Sequence, residues 1–323
     1  MGVSSEDVVV IQKQQVEGKR ERESEGRIIT VNCPDKTGLG CDLCRIILEF
    51  GLCITRGDVS TDGKWCYVVF WVVPRSTSVN VNWGNLKNRL LSICPSCTVT
   101  FYFNSETRPS VSPVYLLKLF CLNRAGLLHG LSLDLKKVKS ANISMDNSLS
   151  PAHTLLQIHC IDQKGLIYDI LRTLKDCNIQ IAYGRFLSDT KGYREIDLFI
   201  QQTDGKKIVD PEKQNGLCSR LRMEMLHPLR VITVNRGPDT ELLVANPVEL
   251  SGKGRPRVFY DMTVALKLLG ICIFSAEIGR HSTQERQWEV YRFLLDESPN
   301  FPLSNNRARN QIVDRVRRTL MGW

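Results

Sequence analysis

The chain of 323 residues has no apolar run long enough to cross a bilayer. Its longest strongly apolar run, 67–73, is far shorter than the roughly 20 residues that a membrane helix needs. The first 25 residues are charged and lack the apolar segment of a secretory signal. We therefore expect a soluble protein of the cytoplasm, with the nucleus as an alternative.

The signatures of the common enzyme classes are also missing. The sequence contains no Gly-x-Ser-x-Gly elbow, no P-loop, no glycine pattern of a dinucleotide fold and no HExxH helix. It predicts no catalytic residue, no cofactor and no enzyme activity. The few histidines are dispersed along the chain at His129, His153, His159, His227 and His281.

The twelve cysteines do not form the compact framework of a disulfide-rich domain. Cys41 and Cys44, like Cys94 and Cys97, have the CxxC spacing of a zinc site. The first pair lies in a predicted helix and faces the core, so we predict no metal site. Six cysteines lie in apolar stretches, and we interpret them as reduced core residues: Cys33, Cys53, Cys66, Cys121, Cys160 and Cys272.

The formal net charge of +9 gives little evidence for a nucleic-acid surface. Lysine and arginine are scattered among acidic residues, with local basic runs only at 19–22, 252–257 and 307–318. Apolar residues at helical spacing in the last run predict an amphipathic final helix. We expect the basic runs to be solvated, and we expect neither a membrane nor a nucleic acid as partner.

The sequence repeats one pattern of strand, tight turn and amphipathic helix. Residues 27–33 are rich in β-formers, 34–38 have turn chemistry, and 39–50 have apolar residues at helical spacing. The pattern continues with strands at 52–60 and 64–73, a helix at 83–93 and a strand at 98–103. Three later stretches repeat this order. The second has only a strand at 115–122, a helix at 127–138 and a strand at 142–149, the third is complete, and the fourth lacks its last strand.

The spacing of the turns sets the predicted domain boundaries. The first two turns lie much farther apart than the next two, so the second repeat is a half unit, and the last repeat ends without a final strand. Truncated sheets leave edges that we expect to pair with neighbouring repeats. The prediction is a disordered N-terminus at 1–26, a full domain at 27–104, a partial unit at 114–150, a full domain at 153–236 and a divergent domain at 240–323.

Three turns resemble the turn between the first strand and the first helix of ACT domains. They are 33–39 (CPDKTGL), 122–127 (LNRAGL) and 161–166 (IDQKGL). Their order, together with the segment 252–260 (GKGRPRVFY), resembles the plant ACT domain repeat proteins over nearly the whole chain from Arg27 onward. The resemblance implies an α+β fold of tandem ferredoxin-like βαββαβ domains, a regulatory role, and amino-acid binding at interfaces between paired domains.

Physical reasoning gives these turns a binding role. Glycine allows a sharp turn and a close approach of ligand to backbone. The start of the following helix presents free N–H groups and positive charge, which suit a carboxylate. An acidic or amide side chain in the turn could orient an ammonium group. The candidate ligand-binding residues are Asp35, Lys36, Thr37, Gly38, Leu39, Asn123, Gly126, Leu127, Asp162, Lys164, Gly165 and Leu166.

Two alternatives stay open. A scaffold for protein interaction, with vestigial ligand sites and a protein partner or a second copy of the chain, fits the same repeats. RNA-recognition modules share the βαββαβ order, and 64–70 (KWCYVVF) resembles their aromatic third strand. However, the first strand has no stacking aromatic residue, so we expect Trp65, Tyr67 and Phe70 to pack or to line an interface.

Overall fold

A computed structural model describes residues 8–13, 26–75, 80–95, 141–189, 191–226, 228–236, 239–249, 252–283, 286–296, 303 and 305–322. The chain divides into two compact bodies, and each is described by itself. The first body contains an N-terminal and a middle module, and the second contains a C-terminal module. Each module has four antiparallel strands and two helices.

The N-terminal module contains β1 (Val9–Lys13), β2 (Arg27–Pro34), α1 (Leu39–Glu49), β3 (Leu52–Thr61), β4 (Trp65–Pro74) and α2 (Trp83–Leu91). Helix α1 begins after Gly38, which adopts a left-handed conformation with φ of 81°. Helix α2 begins after Asn82, whose side chain accepts a hydrogen bond from the backbone N–H of Asn85. The apolar stripe of α1 is buried against the sheet.

The middle module contains β5 (Asn142–Asp146), β6 (Thr154–Ile161), α3 (Leu166–Asp176), β7 (Ile179–Ser188), β8 (Tyr193–Gln202) and α4 (Pro211–Leu226). Helix α3 repeats the start of α1, because Gly165 also has a left-handed φ, of 74°. The fully buried guanidinium of Arg172 on α3 lies 2.7 Å from the carboxylate of Glu224 on α4. This ion pair fixes the two helices to each other.

The N-terminal and middle modules share one eight-stranded sheet with the order β1-β2-β4-β3-β7-β8-β6-β5. Strands β3 and β7 join the two halves in antiparallel register, from Gly57 opposite Phe186 to Ser60 opposite Tyr183. Helices α1 and α3 pack beside each other above this junction. The two modules are therefore related by an approximate twofold axis.

The C-terminal module contains β9 (Arg230–Arg236), β10 (Asp239–Pro247), α5 (Val258–Leu268), β11 (Cys272–Ser282), β12 (Gln287–Asp296) and α6 (Asn306–Met321). Its sheet has the order β11-β12-β10-β9. The final helix is amphipathic as predicted, with Ile312, Val316 and Leu320 buried. Strand β11 is an edge strand among the described residues, and it exposes the large side chains of Phe274 and Ile278.

The structure differs from the predicted domain boundaries in one respect. The outer strand of each module comes from a different segment of the chain than we predicted. Strand β1 lies within 1–26, which we predicted to be disordered, and it pairs with β2. Strand β5, predicted as the end of the half unit at 114–150, pairs with β6. Strand β9, predicted to close the domain at 153–236, pairs with β10 instead.

The reason is topological. In a βαββαβ sheet the outer strand lies antiparallel beside the first strand of the unit. A segment before that strand can fill the position as well as a segment after the last helix. All three modules use the preceding segment, so the C-terminal module ends at α6 and still has four strands. The predicted strand at 98–103 and the predicted elements at 115–122 and 127–138 lie outside the described residues.

Candidate functional site

A cleft opens where β3 and β7 separate. The two strands pair over only four residues each, from Gly57 to Ser60 and from Tyr183 to Phe186. The end of β3 and the start of β7 therefore diverge below the helices α1 and α3. The turn that precedes α1 lies at this opening.

The cleft has a volume of about 520 Å³ and is open to solvent. That volume exceeds the size of a free amino acid. Both modules contribute to it, so a ligand in it would contact both. It is lined by Asp35, Lys36, Thr37, Gly38, Leu39, Gly40, Cys41, Val59, Thr61, Asp62, Gly63 and Cys66, and by His153, Leu171, Leu174, Lys175, Ile179, Gln180, Ile181, Ala182 and Gln201.

Asp35 provides negative charge in the cleft. The hydroxyl of Thr61 donates a hydrogen bond to Asp35 Oδ2 at 2.6 Å, which orients the carboxylate. Within the described ranges, no ion pair joins Asp35 to a basic side chain. The carboxylate is therefore placed to accept hydrogen bonds from a cationic group of a ligand.

The start of α1 provides the complementary positive end. The first N–H groups of a helix have no partner within the helix and favour an anion. Lys175 of α3 reaches this point from the middle module, and its ammonium lies 3.8 Å from the carboxylate of Asp42. Gly38 has no side chain that would separate the helix start from Lys175.

Cys66 closes the bottom of the cleft with a neutral thiol. Burial raises the pKa of Cys66 to about 12, and the nearby Asp35 carboxylate and Cys33 thiol act in the same direction. The thiol is therefore protonated at neutral pH. It occupies little space, and this leaves room next to Asp35.

The turn of the middle module faces the matching cleft at the other end of the β3–β7 junction, and a side chain of the protein fills that cleft. Arg194 of β8 is 4% exposed. It donates to Asp162 Oδ2 at 2.9 Å, to the carbonyl oxygen of Thr55 at 3.0 Å and to the carbonyl oxygen of Ile54. The acceptors of this second cleft are therefore already occupied.

The equivalent turn of the C-terminal module lacks the same chemistry. The residue before α5 is Arg257, which adopts a left-handed φ of 64° where the other modules have glycine. Its guanidinium lies over the ring of Tyr260, at 4.5 Å from the centroid. Three residues earlier, where the other turns have an aspartate, the chain has Gly254.

The structure places the sequence-predicted residues in three different situations. Asp35 to Leu39 line the open cleft, although the ammonium of Lys36 turns away and donates to the carbonyl of Ile93 at 2.8 Å. Asp162 is paired with Arg194, and Lys164 and Leu166 are buried. Asn123, Gly126 and Leu127 lie outside the described residues.

Sequence reasoning missed the residues that belong to the partner module, above all Lys175, Ile181 and Ala182. No local signal identifies them, because they reach the turn only through the pairing of β3 with β7. Arg194 did leave a signal. Strand alternation puts it on the same face as Ile196 and Leu198, which are buried, and a charged residue on that face requires a buried partner.

Further expectations concern the cysteines. Cys33, Cys66 and Cys160 are buried as predicted, but Cys272 is exposed on the edge strand β11, so its assignment to the core was wrong. Cys41 and Cys44 are buried in α1, and the described residues contain no cluster able to hold a metal ion.

The aromatic residues of β4 lie on both faces of the strand. Phe70 is fully buried, and Trp65 donates its indole N–H to the side chain of Asn32. Tyr67 is half exposed. Phe70 and Trp65 therefore pack as expected, whereas Tyr67 does not pack in the core.

Helices of the described segments are all too short or too polar to span a bilayer.

Comparison with known proteins identifies the family. Residues 16–95 match the model of the N-terminal region of ACT domain-containing protein ACR10. Residues 142–239 match the ACR9-like, ACT-like domain, and residues 240–322 match the C-terminal region of ACT domain-containing protein ACR9. The matches extend over all three modules except β1.

Two relatives from Arabidopsis thaliana align over their full length and over all of this chain. ACT domain-containing protein ACR9 is 50% identical over 417 residues, and ACT domain-containing protein ACR10 is 43% identical over 422 residues. Because this chain has 323 residues, both relatives contain residues that it lacks. A bifunctional uridylyltransferase/uridylyl-removing enzyme of Azospirillum brasilense is 30% identical over 88 residues, which cover 27% of this chain and 9% of that protein. The chain belongs to the family of plant ACT domain repeat proteins.

Proposed function

We propose that the chain is a non-catalytic regulatory protein that binds one free amino acid in the cleft between the N-terminal and middle modules. The observation that carries this proposal is the contrast between the two matching clefts. One has Asp35 beside an open volume of about 520 Å³, and the other has Asp162 paired with Arg194. The occupied cleft indicates what the open one is suited to accept.

The charges of the open cleft suit a zwitterion. Asp35 offers a carboxylate to a cationic group, and the start of α1 with Lys175 offers positive charge to an anionic group. Two or three charge-assisted hydrogen bonds contribute about 1.5 to 3 kcal/mol each, and burial of the ligand side chain contributes about 1.5 to 3 kcal/mol more. The association cost of about 4 kcal/mol or more opposes them. We therefore expect a dissociation constant between about 1 μM and 1 mM.

Ligand binding at this position would be transmitted to the rest of the protein. The cleft is lined by α1 and the turn of one module and by α3 and β7 of the other. A ligand that contacts both modules stabilises their pairing relative to any arrangement in which they separate. Such a change in domain pairing is the response expected of a sensor.

A thermal-shift screen against the twenty amino acids tests the proposal, because a ligand that binds only the folded chain raises its melting temperature. Titration calorimetry then compares wild type with Asp35→Asn and with the matched control Asp162→Asn. We expect Asp35→Asn to weaken binding at least about tenfold, which is about 1.4 kcal/mol. Asp162→Asn leaves binding unchanged, because Arg194 already occupies that carboxylate. Unchanged binding in Asp35→Asn, or no shift with any amino acid, would contradict the proposal.

A second candidate function, a role in protein interaction, is favoured by the surface of the C-terminal module. Strand β11 and helix α5 expose Phe274, Ile278, Tyr260 and Leu268. The equivalent strands and helices of the other two modules cover each other. A second copy of the chain, paired through β11, would bury this surface in the same way. Light scattering of wild type and of Phe274→Asp measures it: a dimer that the substitution dissociates supports the interaction, and a monomeric wild type contradicts it.

A further inference from the structure

The filled cleft shows which chemical group fits the acceptors of an ACT turn in this chain. Two nitrogens of the Arg194 guanidinium share three acceptors. Nη1 donates to the carbonyl of Thr55, and Nη2 donates to Asp162 and to the carbonyl of Ile54. The side chain is almost completely buried, so these bonds replace its contacts with water.

The open cleft has residues at positions equivalent to those of the three acceptors. Asp35 lies two residues after Cys33, as Asp162 lies two residues after Cys160. Strand β3 has a bulge at Thr55, between Ile54 and Arg56. Strand β7 has the matching bulge between Ile181 and Tyr183, and both Ile181 and Ala182 line the open cleft.

The register also identifies what is missing from the open cleft. In the middle module, Arg194 pairs with Cys160 and with Ser188. In the N-terminal module, the residue in that position is Cys66, which pairs with Cys33 and with Thr61. A cysteine is too short to reach across the cleft. The open cleft therefore keeps the aspartate and the bulge of the neighbouring strand, and it lacks the arginine that binds both in its twin.

The arrangement of the acceptors favours a group with hydrogen-bond donors on two nitrogens over a group with all its donors on one nitrogen. A guanidinium is planar and presents parallel N–H groups on two nitrogens, and it matches acceptors that are spread along a carboxylate and two consecutive carbonyls. An ammonium places all of its donors on one nitrogen. Glutamine and other neutral side chains bring no charge to Asp35, so they gain less from the same acceptors.

We infer that the open cleft selects a ligand with a guanidinium group, free arginine being the simplest, and that this group binds Asp35 and the bulge of β7 where Arg194 binds in the twin cleft. The inference rests on the proposed function and specifies its ligand. The rest of the cleft, next to Lys175 and the start of α1, then accommodates the carboxylate of the ligand.

Titration calorimetry with L-arginine, agmatine and L-glutamine tests the inference on the full chain. We expect one arginine site per chain, weaker but measurable binding of agmatine, which has the guanidinium and lacks the carboxylate, and binding of glutamine at least tenfold weaker than that of arginine. A neutral amino acid that binds as tightly as arginine overturns the inference and leaves the proposed function in place. If no amino acid binds, both fail.

Two substitutions test the inference by reversing the two clefts. One fills the open cleft with an arginine side chain, and the other removes the arginine from the filled cleft. Cys66→Arg introduces the side chain that fills the twin, so arginine binding should be lost. The control Tyr67→Arg adds the same side chain on the exposed face of β4, outside the cleft, and should keep it. Arg194→Ala empties the second cleft, so the stoichiometry should rise from one to two, and L-arginine should raise the melting temperature of this variant more than that of wild type. Arginine binding that survives Cys66→Arg, or an Arg194→Ala variant that arginine does not stabilise further, overturns the inference.

Discussion

Lys175 lies directly against Gly38, so that a β-carbon added at position 38 would stand 2.5 Å from Lys175 Cε and 2.8 Å from its Nζ. The two residues come from different modules, α3 and the turn before α1. Gly38 is also left-handed, with φ of 81°. Position 38 therefore requires glycine for two reasons. Its backbone is left-handed, and Lys175 lies too close to leave room for a β-carbon.

A comparison of Gly38→Ala with Gly63→Ala separates the effect of the left-handed backbone from the effect of the contact with Lys175. Gly63 has a similar φ of 85°, but a β-carbon there would meet nothing within 4 Å. We expect Gly63→Ala to lower the free energy of unfolding by about 1 to 2 kcal/mol, the cost of a left-handed alanine. Gly38→Ala should lower it further and weaken ligand binding, because Lys175 must move. Urea denaturation measures both, and equal losses in the two variants would show that the contact with Lys175 is unimportant.

The buried ion pair between Arg172 on α3 and Glu224 on α4 predicts that substitution of Arg172 lowers the free energy of unfolding strongly. Burial disfavours the charge of Arg172, but the carboxylates of Glu224 and Asp169 outweigh it and raise the pKa of the guanidinium. Removal of Arg172 takes the buried positive charge away from these carboxylates, and loss of one partner of a buried ion pair costs about 3 to 5 kcal/mol. We therefore expect this loss for Arg172→Met in urea denaturation.

Arg185→Met is the matched control for that experiment. Arg185 lies 3.3 Å from Asp197, but its side chain is 48% exposed. Exposed ion pairs contribute less than about 1 kcal/mol. If both variants lose the same small amount, the buried pair does not hold α3 and α4 together.

Strand β1 predicts that the N-terminal segment contributes to stability. Val9 is fully buried in the main core, and β1 supplies the outer ladder of β2. Deletion of residues 1–13 removes this burial and should lower the free energy of unfolding by about 2 kcal/mol or more. Deletion of residues 1–7 alone keeps β1 and serves as the control. Equal melting temperatures for the two truncated chains would refute a structural role for β1.

His281 predicts a dependence of stability on pH in the C-terminal module. Burial lowers the pKa of His281, and the positive charge of Arg292 lowers it further. The folded state therefore binds this proton less readily than the unfolded state. The contribution is fully present above the unfolded pKa of about 6.5 and is lost as the pH falls toward the folded value.

His281→Gln removes this titration. Thermal unfolding of wild type and variant is compared at about pH 7.5 and about pH 5. We expect the wild type to lose more stability than the variant between these two values. Parallel losses would exclude His281 as the cause.

The elements could be predicted from the sequence because their patterns are local. The β-rich stretch before Asp35 and the apolar spacing of 39–50 depend only on neighbouring residues, and both became β2 and α1 within one or two residues. The repeated glycine turn then identified the fold. The same turn chemistry drew attention to Asp35, which lines the open cleft.

The assembly of the site could not be predicted because it depends on contacts that are distant in sequence. Residues 230–234 have a clear strand pattern, but the pattern does not say which sheet the strand joins. The turns containing Asp35 and Asp162 are similar in sequence. They differ in the residue opposite them on the neighbouring strand, Cys66 in one case and Arg194 in the other. That difference becomes visible only when the strand register is known.

The placement of each outer strand ahead of its module affects how the protein folds while it is being made. A ribosome releases the chain from the N-terminus, and domains generally fold in that order. When α2 has emerged, all four strands of the N-terminal sheet are already available, and none has to wait for later residues. The edge of β3 remains unpaired for longer, because its partner β7 is synthesised more than a hundred residues later. Nascent chains halted before β7 should therefore contain a folded first module and an uncovered edge that requires protection from aggregation.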